Sequence, residues 1–225
     1  MLIKFSIFQR IFILKIPTHI VIPDGNRRGA IEQGLQKHEG YSYGLNPGLE
    51  ILRLAKEYGI KEITYYGFTT DNCKRPIKQV KAFVTACVDA VNLIATEGVS
   101  LLVTGDTNSS YSPNELLKYT TRTDVNGGGI KINFLVNYGW EWDLSNINCK
   151  SSSRKQMHEN LHSKEISRID LILRWGGIKR LSGFSPVQSV YASFYTINHL
   201  WPDFKKDDFD NAMKWYDKQD VTLGG

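Results

Sequence analysis

A chain of 225 residues with 41% hydrophobic and 23% charged residues has the make-up of one globular α/β domain with a sizeable core, not of a disordered or fibrous protein. The net charge of +5 suits an anionic substrate or a membrane surface but is too weak to mark a nucleic-acid binder, and no nucleic-acid motif accompanies it. The three cysteines, Cys73, Cys87 and Cys149, are scattered without a Cys-x-x-Cys pair, which points to free thiols in a reducing, cytoplasmic compartment.

Residues 1–16 are apolar but carry Lys4, Arg10 and Lys15. They are too short and interrupted to span a bilayer and read as an amphipathic segment, packed on the domain or in peripheral contact with a membrane. Packing is favoured, because apolar faces usually meet a core. Residues 17–225 read as a single domain. A strand at 18–22 runs into Asp24-Gly-Asn-Arg-Arg28. A helical stripe at 45–58 carries Leu49, Leu52, Leu54 and Ala55 and stops at Gly59. Residues 61–68 are strand-like, and a long helix is predicted over 77–96 after Pro76. On that helix Phe83, Val84, Val88, Val91 and Ile94 form an apolar set that serves either a tunnel or plain core packing. Strands are predicted at 99–104 and 130–136, with a short helix at 113–119 between them. The polar stretch 151–166 reads as an exposed helix. A strand at 169–173 leads into Arg174-Trp-Gly-Gly177, residues 187–197 are mixed in signal, and a last helix covers 207–217. The βαβ alternation predicts a parallel sheet with helices on both faces.

In such a sheet the loops after the strands meet along one edge, where ligands bind. The first strand delivers Asp24, Gly25, Asn26, Arg27 and Arg28. The second delivers Thr69, Thr70, Asp71, Asn72, Lys74 and Arg75. Asn137 and Tyr138 follow the strand at 130–136, and Arg174, Lys179, Arg180 and Ser182 follow the one at 169–173. Each residue alone would pass for a solvated loop residue. Together, recurring arginine forks with hydroxyls read as a site for one or two diphosphates. The chemistry that fits is departure of a diphosphate from carbon, with its charge neutralised by arginines and by Mg²⁺ held on Asp24. The rival His158-Glu-Asn-Leu-His162 has the spacing of a zinc-protease helix, but the pattern fixes only three residues and lies far along the chain from the arginines.

These segments resemble the cis-prenyltransferases, the family of undecaprenyl diphosphate synthase. The resemblance rests on Asp24-Gly-Asn-Arg-Arg28; on Tyr66-Gly-Phe-Thr-Thr-Asp-Asn72 with Lys74-Arg-Pro76; on Asn137-Tyr-Gly139 with Trp142-Asp143; on Asp170-Leu-Ile-Leu-Arg174-Trp-Gly-Gly177 with Arg180-Leu-Ser182; and on Leu200-Trp-Pro-Asp-Phe204. It implies a six-stranded parallel sheet flanked by helices, an apolar tunnel and a homodimer. It implies an allylic prenyl diphosphate held by Asp24, Gly25, Asn26, Arg27 and Arg28 near Mg²⁺, and an acceptor held by Arg174, Arg180 and Ser182. Lys37, Tyr41 and Thr69 fall at substrate-binding positions, and with Asp24 the catalytic positions are Asn72, which matches an asparagine tied to proton removal, and Arg75, which matches an arginine of the same loop.

Several positions depart from the pattern. The resemblance implies a glutamate where Ser193 stands, an acid at Ile178, a histidine at Tyr41, an arginine at Lys37, an aromatic at Gly29, a tryptophan at Cys73, a threonine at Trp175, and an arginine in the tail Thr222-Leu-Gly224. Most lie on the acceptor and metal side, with Trp175 expected to add bulk to the pocket. The expectation is an enzyme that ionises an allylic diphosphate but handles its acceptor unusually. That acceptor would be isopentenyl diphosphate, a second prenyl diphosphate, a hydroxyl compound or water. The alternative is a non-catalytic partner subunit of a heteromeric prenyltransferase.

Overall fold

A computed structural model describes residues 14–22, 26–147 and 153–220. Residues 1–13, most of the amphipathic segment, lie outside that range, as do Asp24, Gly25, Cys149 and the tail from residue 221. No helix of the described residues is long and apolar enough to cross a membrane.

The strands are β1 (His19–Ile22), β2 (Glu62–Tyr66), β3 (Val99–Thr104), β4 (Thr123–Val125), β5 (Lys131–Leu135), β6 (Leu171–Trp175) and β7 (Ser193–Ile197). They form one sheet in the order β4-β3-β5-β2-β1-β6-β7. All neighbours pair in parallel except β3 and β4. The α/β class stands, but seven strands replace the six expected. The extra one is β4, a polar three-residue edge strand whose Thr-Asp-Val sequence carries no alternating apolar signal. It pairs antiparallel with β3 and turns into β5 through Gly127, Gly128 and Gly129, all at positive φ.

The helices are α1 (Asn26–Glu32), α2 (Leu45–Tyr58), α3 (Ile77–Ala95), α4 (Trp140–Leu144), α5 (Arg154–Glu159) and α6 (Lys206–Asp217). α2 ends where Gly59 takes the left-handed conformation and its N–H caps Ala55 and Lys56 carbonyls. α3 starts after Pro76, which cannot continue a helix backwards. α6 carries Asp207 and Asp208 in its first turn, where the helix dipole favours negative charge. The predicted short helix at 113–119 is a 3₁₀ turn over Asn114–Tyr119. The long helix expected over 151–166 shrinks to α5, capped by Ser153. After α5 the chain turns so that Ser163 can donate from both its N–H and its hydroxyl to the buried carboxylate of Asp143. His158 and His162 therefore do not share a helix. His162 stacks on Trp142 at 4.2 Å, and no cluster of three metal-ligating side chains occurs among the described residues. The zinc reading fails on geometry.

β6 starts and ends two residues later than predicted, because the ladder with β7 continues through Arg174 and Trp175. Successive residues of a strand face opposite sides. Trp175 consequently leaves the side of Arg174 and packs edge-on against Trp201 at 4.9 Å and beside Phe204, fully buried. It does not line the cavity described below, contrary to the expected pocket bulk. Its indole N–H has no hydrogen-bond partner among the described residues. Trp175→Ala is expected to cost about 3–5 kcal/mol in denaturant unfolding. Trp175→Phe should lose far less, since it removes an unsatisfied buried donor while keeping a ring. Equal losses for the two variants would contradict this packing.

A buried polar network lies at the amino ends of β1 and β2. The His19 Nδ1–H donates to the Ser167 carbonyl at 3.1 Å, and His19 Nε2 accepts from the Thr64 hydroxyl at 2.8 Å. Asn133 Nδ2 donates to Thr64 Oγ1 and to Glu62, which also accepts from the Ser167 hydroxyl. Burial pushes the His19 imidazolium pKa below its ordinary 6.5, with Glu62 only partly opposing. Burial pushes Glu62 up, but His19 and hydrogen bonds from Ser167 and Asn133 outweigh it and hold the carboxyl below its ordinary 4.5. In both cases the unfolded chain takes up a proton before the folded one does. Stability is therefore full at neutral pH and falls as pH drops below about 6.5, then further through the glutamate range. Thermal unfolding followed from about pH 7 to about pH 5 should show the midpoint falling. His19→Gln should flatten the upper part of that slope, and an unchanged slope would remove His19 from the account.

Candidate active site

One cavity of about 780 Å³ opens at the carboxyl edge of the sheet. It is lined by Asn26, Arg27, Arg28, Lys37, Tyr41, Thr69, Asn72, Arg75, Arg174, Arg180 and Ser182, whereas Thr70, Lys74, Asn137, Tyr138 and Lys179, expected at the same edge, are not on its wall. Asp24 and Gly25 fall outside the described range. β1 and α1 deliver Asn26 to Arg28, the loop after β2 delivers Thr69 to Arg75, and the loop after β6 delivers Arg180 and Ser182. These segments are distant in sequence and meet only because their strands are parallel neighbours.

Arg28 crosses the mouth from α1 to the loop after β6 and donates to the Gly176 carbonyl at 2.8 Å. Gly176 has φ +79°, and a Cβ there would collide with the Arg28 guanidinium. Asn26 Oδ1 and Arg27 Nε are buried and find no hydrogen-bond partner among the described residues. Unmet polar atoms on a cavity wall are what a polar ligand satisfies. Gly29, where the resemblance implies an aromatic, lies against Pro202, whose Cγ would stand 3.1 Å from a Cβ at that position. A side chain there would need Pro202 to give by a few tenths of an ångström.

Across the cavity, Thr69 and Asn72 form a capping box: Asn72 N–H donates to Thr69 Oγ1 at 3.3 Å, and Thr69 N–H donates to Asn72 Oδ1 at 3.4 Å. The Asn72 carbonyl is thereby occupied, and its amide NH₂ is the group left to face a ligand. Arg75 donates to the Tyr41 hydroxyl at 3.2 Å and lies over the Phe83 ring, on which Tyr41 stacks at 4.3 Å. Burial raises the Tyr41 pKa, with Arg75 and Arg27 partly opposing, so Tyr41 stays a neutral phenol. On the third side Arg174, buried to 7% exposure, donates to Ser182 Oγ at 3.3 Å. The Tyr66 hydroxyl donates to the Ser182 carbonyl at 2.8 Å and fixes that left-handed turn.

Among the described residues the wall is strongly cationic: Arg27, Arg28, Lys37, Arg75, Arg174 and Arg180 line it with one carboxylate, Asp71, which pairs with Lys74 at 2.6 Å. Ile178 also lines it, adding apolar surface where the resemblance implies an acid. Ser193, the substituted glutamate position, opens β7 and is not on the wall.

The rest of the cavity is apolar. Phe83, Ala86, Cys87, Ala90 and Ile94 present one stripe of α3, opposite Leu45 and Gly48 of α2 and beside Tyr65 and Phe134. Burial pushes the Cys87 thiol up to about 12, so it stays protonated. Of the apolar set marked out on this helix, Phe83 and Ile94 line the cavity, whereas Val91 packs the core and Val84 and Val88 pack beside it. On this helix the residues missed were small: Ala86 and Ala90 fall at helical spacing with Phe83, Cys87 and Ile94, a pattern legible once the stripe is read for size as well as hydrophobicity.

The prenyltransferase family model for undecaprenyl diphosphate synthase matches residues 22–224. A ditrans,polycis-undecaprenyl-diphosphate synthase, (2E,6E)-farnesyl-diphosphate specific, from Escherichia coli K12 is 28% identical over 94% of this chain and 92% of its own length. An isoprenyl transferase from Leptospira interrogans is 27% identical over 96% of this chain and 98% of its own length. Among solved structures, a lavandulyl diphosphate synthase from Lavandula x intermedia, in complex with dimethylallyl diphosphate, superposes with a TM-score of 0.81 at 21% identity, over 93% of this chain and 99% of that one.

Proposed function

The chain belongs to the undecaprenyl diphosphate synthase family of prenyltransferases, enzymes that transfer alkyl groups other than methyl, and from that premise we propose how this cavity is used. It binds an allylic prenyl diphosphate with the diphosphate on Asn26, Arg27 and Arg28 and the prenyl chain along the apolar stripe of α3. It passes the prenyl group to an acceptor held by Arg174, Arg180 and Ser182. The observation that carries this reading is the division of one 780 Å³ cavity into a cationic end and an apolar end.

Breaking the allylic carbon–oxygen bond sends the electron pair to the diphosphate and leaves a cation on the prenyl carbon. Arginine forks that already face the leaving group stabilise that charge without reorganising. The acceptor's double bond then supplies the electrons of the new carbon–carbon bond, and a proton is lost. Asn72 is a neutral amide whose carbonyl is engaged, so it positions the oxygen that takes the proton and is not itself the base. Asn26 Oδ1, buried two residues after Asp24 and without a partner among the described residues, is a hard oxygen of the kind Mg²⁺ accepts alongside a carboxylate, phosphate oxygens and water. Asp24 and Asn26 would hold that ion, whose contribution is charge neutralisation on the leaving diphosphate.

Ile178, on the wall beside the acceptor arginines, supports an acceptor handled differently from the family pattern. The proposal includes a homodimer covering the β7 side, where Val190 is 65% exposed and Tyr191 37% exposed. Purified protein incubated with labelled dimethylallyl diphosphate, isopentenyl diphosphate and Mg²⁺ should release diphosphate and form a longer prenyl product, and Asp24→Ala should abolish both. An isolated chain that is inactive, and active only when mixed with a second prenyltransferase chain, would establish the partner-subunit alternative instead.

A further inference from the structure

We infer that Trp201 is a positioning residue of the donor site: by holding Gly44 it keeps Asn26 Oδ1 open to the cavity for a Mg²⁺-bound diphosphate. The inference rests on the prenyl diphosphate reading above and adds the residue that keeps this oxygen free.

Asn26 Oδ1 is buried and has no partner among the described residues. Its surroundings explain how it stays so. The 3₁₀ turn Glu39–Gly44 lies directly against the start of α1. A Cβ on Gly40 would collide with the Asn26 carbonyl, and a Cβ on Gly44 would stand 2.6 Å from Asn26 Oδ1. The same Cβ would stand 2.8 Å from Trp201 Nε1. The amide oxygen and the indole thus flank one narrow gap that suits the α-hydrogen of a glycine. An indole has a single donor, and that of Trp201 goes to the Gly44 carbonyl at 2.9 Å. It is therefore not available to Asn26 Oδ1, although the two groups share the gap. The same bond fixes Gly44, the atom group that backs the amide.

Trp201 has little freedom to swing. It is 2% exposed, and Trp175 packs edge-on against it at 4.9 Å. Pro202, the next residue, lies against Gly29 of α1. One short turn, Trp201–Asp203, thus braces both the glycine turn and the helix that carries Asn26. Asn26, Gly44 and Trp201 all line the cavity. Groups behind a metal ligand fix its direction and so tune the affinity for the ion. Arg27 and Arg28, on the reading above, hold the diphosphate as an anion with or without the ion. The contribution of Trp201 should consequently appear only when Mg²⁺ is present.

Calorimetric titration with an unreactive ten-carbon allylic thiolo-diphosphate, once in excess Mg²⁺ and once in EDTA, tests this. Wild type should bind more tightly with Mg²⁺. Trp201→Phe should weaken binding about tenfold with Mg²⁺, the size typical of changes behind a metal ligand, and by about twofold or less in EDTA. Binding in EDTA also shows that the variant is folded. An equal loss under both conditions would make Trp201 a merely structural residue and overturn the inference. Gly44→Ala puts a methyl into the gap and should show the same Mg²⁺-selective loss, and wild-type affinity there would overturn the inference as well. In an Asn26→Ala background, where the oxygen is already gone, Trp201→Phe should change Mg²⁺-dependent binding by no more than about twofold. A second full loss would show Trp201 acting elsewhere than through Asn26, against the inference. Wild-type binding that Mg²⁺ does not strengthen would overturn the inference and leave the prenyl diphosphate reading standing. No binding by wild type under either condition would overturn that reading, and the inference with it.

Discussion

Arg28→Ala is expected to lower kcat/KM for the allylic diphosphate by about 10²–10³-fold, the effect of removing one donor aimed at developing negative charge. Arg28 is exposed and makes one described hydrogen bond, to the Gly176 carbonyl, so the same variant should unfold within about 0.5 kcal/mol of wild type. Arg28→Lys should recover only a small part, because an ammonium cannot hold the carbonyl with one arm and present a planar fork to a diphosphate with the other. Gly176→Ala should reproduce much of the loss from the opposite side of the contact. It adds strain of about 1–2 kcal/mol at a left-handed residue and pushes the guanidinium from its place. Steady-state release of diphosphate checks the set. Full activity in Gly176→Ala would mean that the position of Arg28 does not matter.

Arg174→Ala should act on the other substrate. Arg174 is buried on the wall beside Ser182, and truncating a buried charge that meets an opposite charge costs about 2–5 kcal/mol. The KM for a diphosphate-bearing acceptor should therefore rise about 30-fold or more, while the KM for the allylic donor stays within a few-fold of wild type. Arg180→Ala, at an exposed position on the same loop, should have a smaller effect in the same direction. Varying each substrate at saturating levels of the other separates these constants. A donor KM that moves instead would exchange the two halves of the site.

The polar end of the cavity was legible because its signal is local: each apolar strand is followed within a few residues by arginines, hydroxyls or amides, and parallel topology brings such loops together. What stayed hidden depends on facing and register. Arg174 looks like the end of a strand, yet the ladder runs on through Trp175, and only that continuation decides which of the two reaches the cavity. Tyr65 and Phe134 become a wall because β2 and β5 align them, a pairing between residues far apart in the chain. The partners of His19 are hidden for the same reason, since Thr64 and Ser167 come from separate segments. β4 is held by its pairing with β3 and not by its own composition. The helix missing after Glu159 was overruled by the demand of buried Asp143 for donors from Ser163.

The most direct measurement is a crystal structure of the protein with an unreactive allylic thiolo-diphosphate. The diphosphate oxygens should lie within hydrogen-bond distance of Arg27 and Arg28, with the prenyl chain against Phe83, Cys87 and Ala90. A diphosphate bound away from these arginines, or a prenyl chain directed to solvent, would contradict the account.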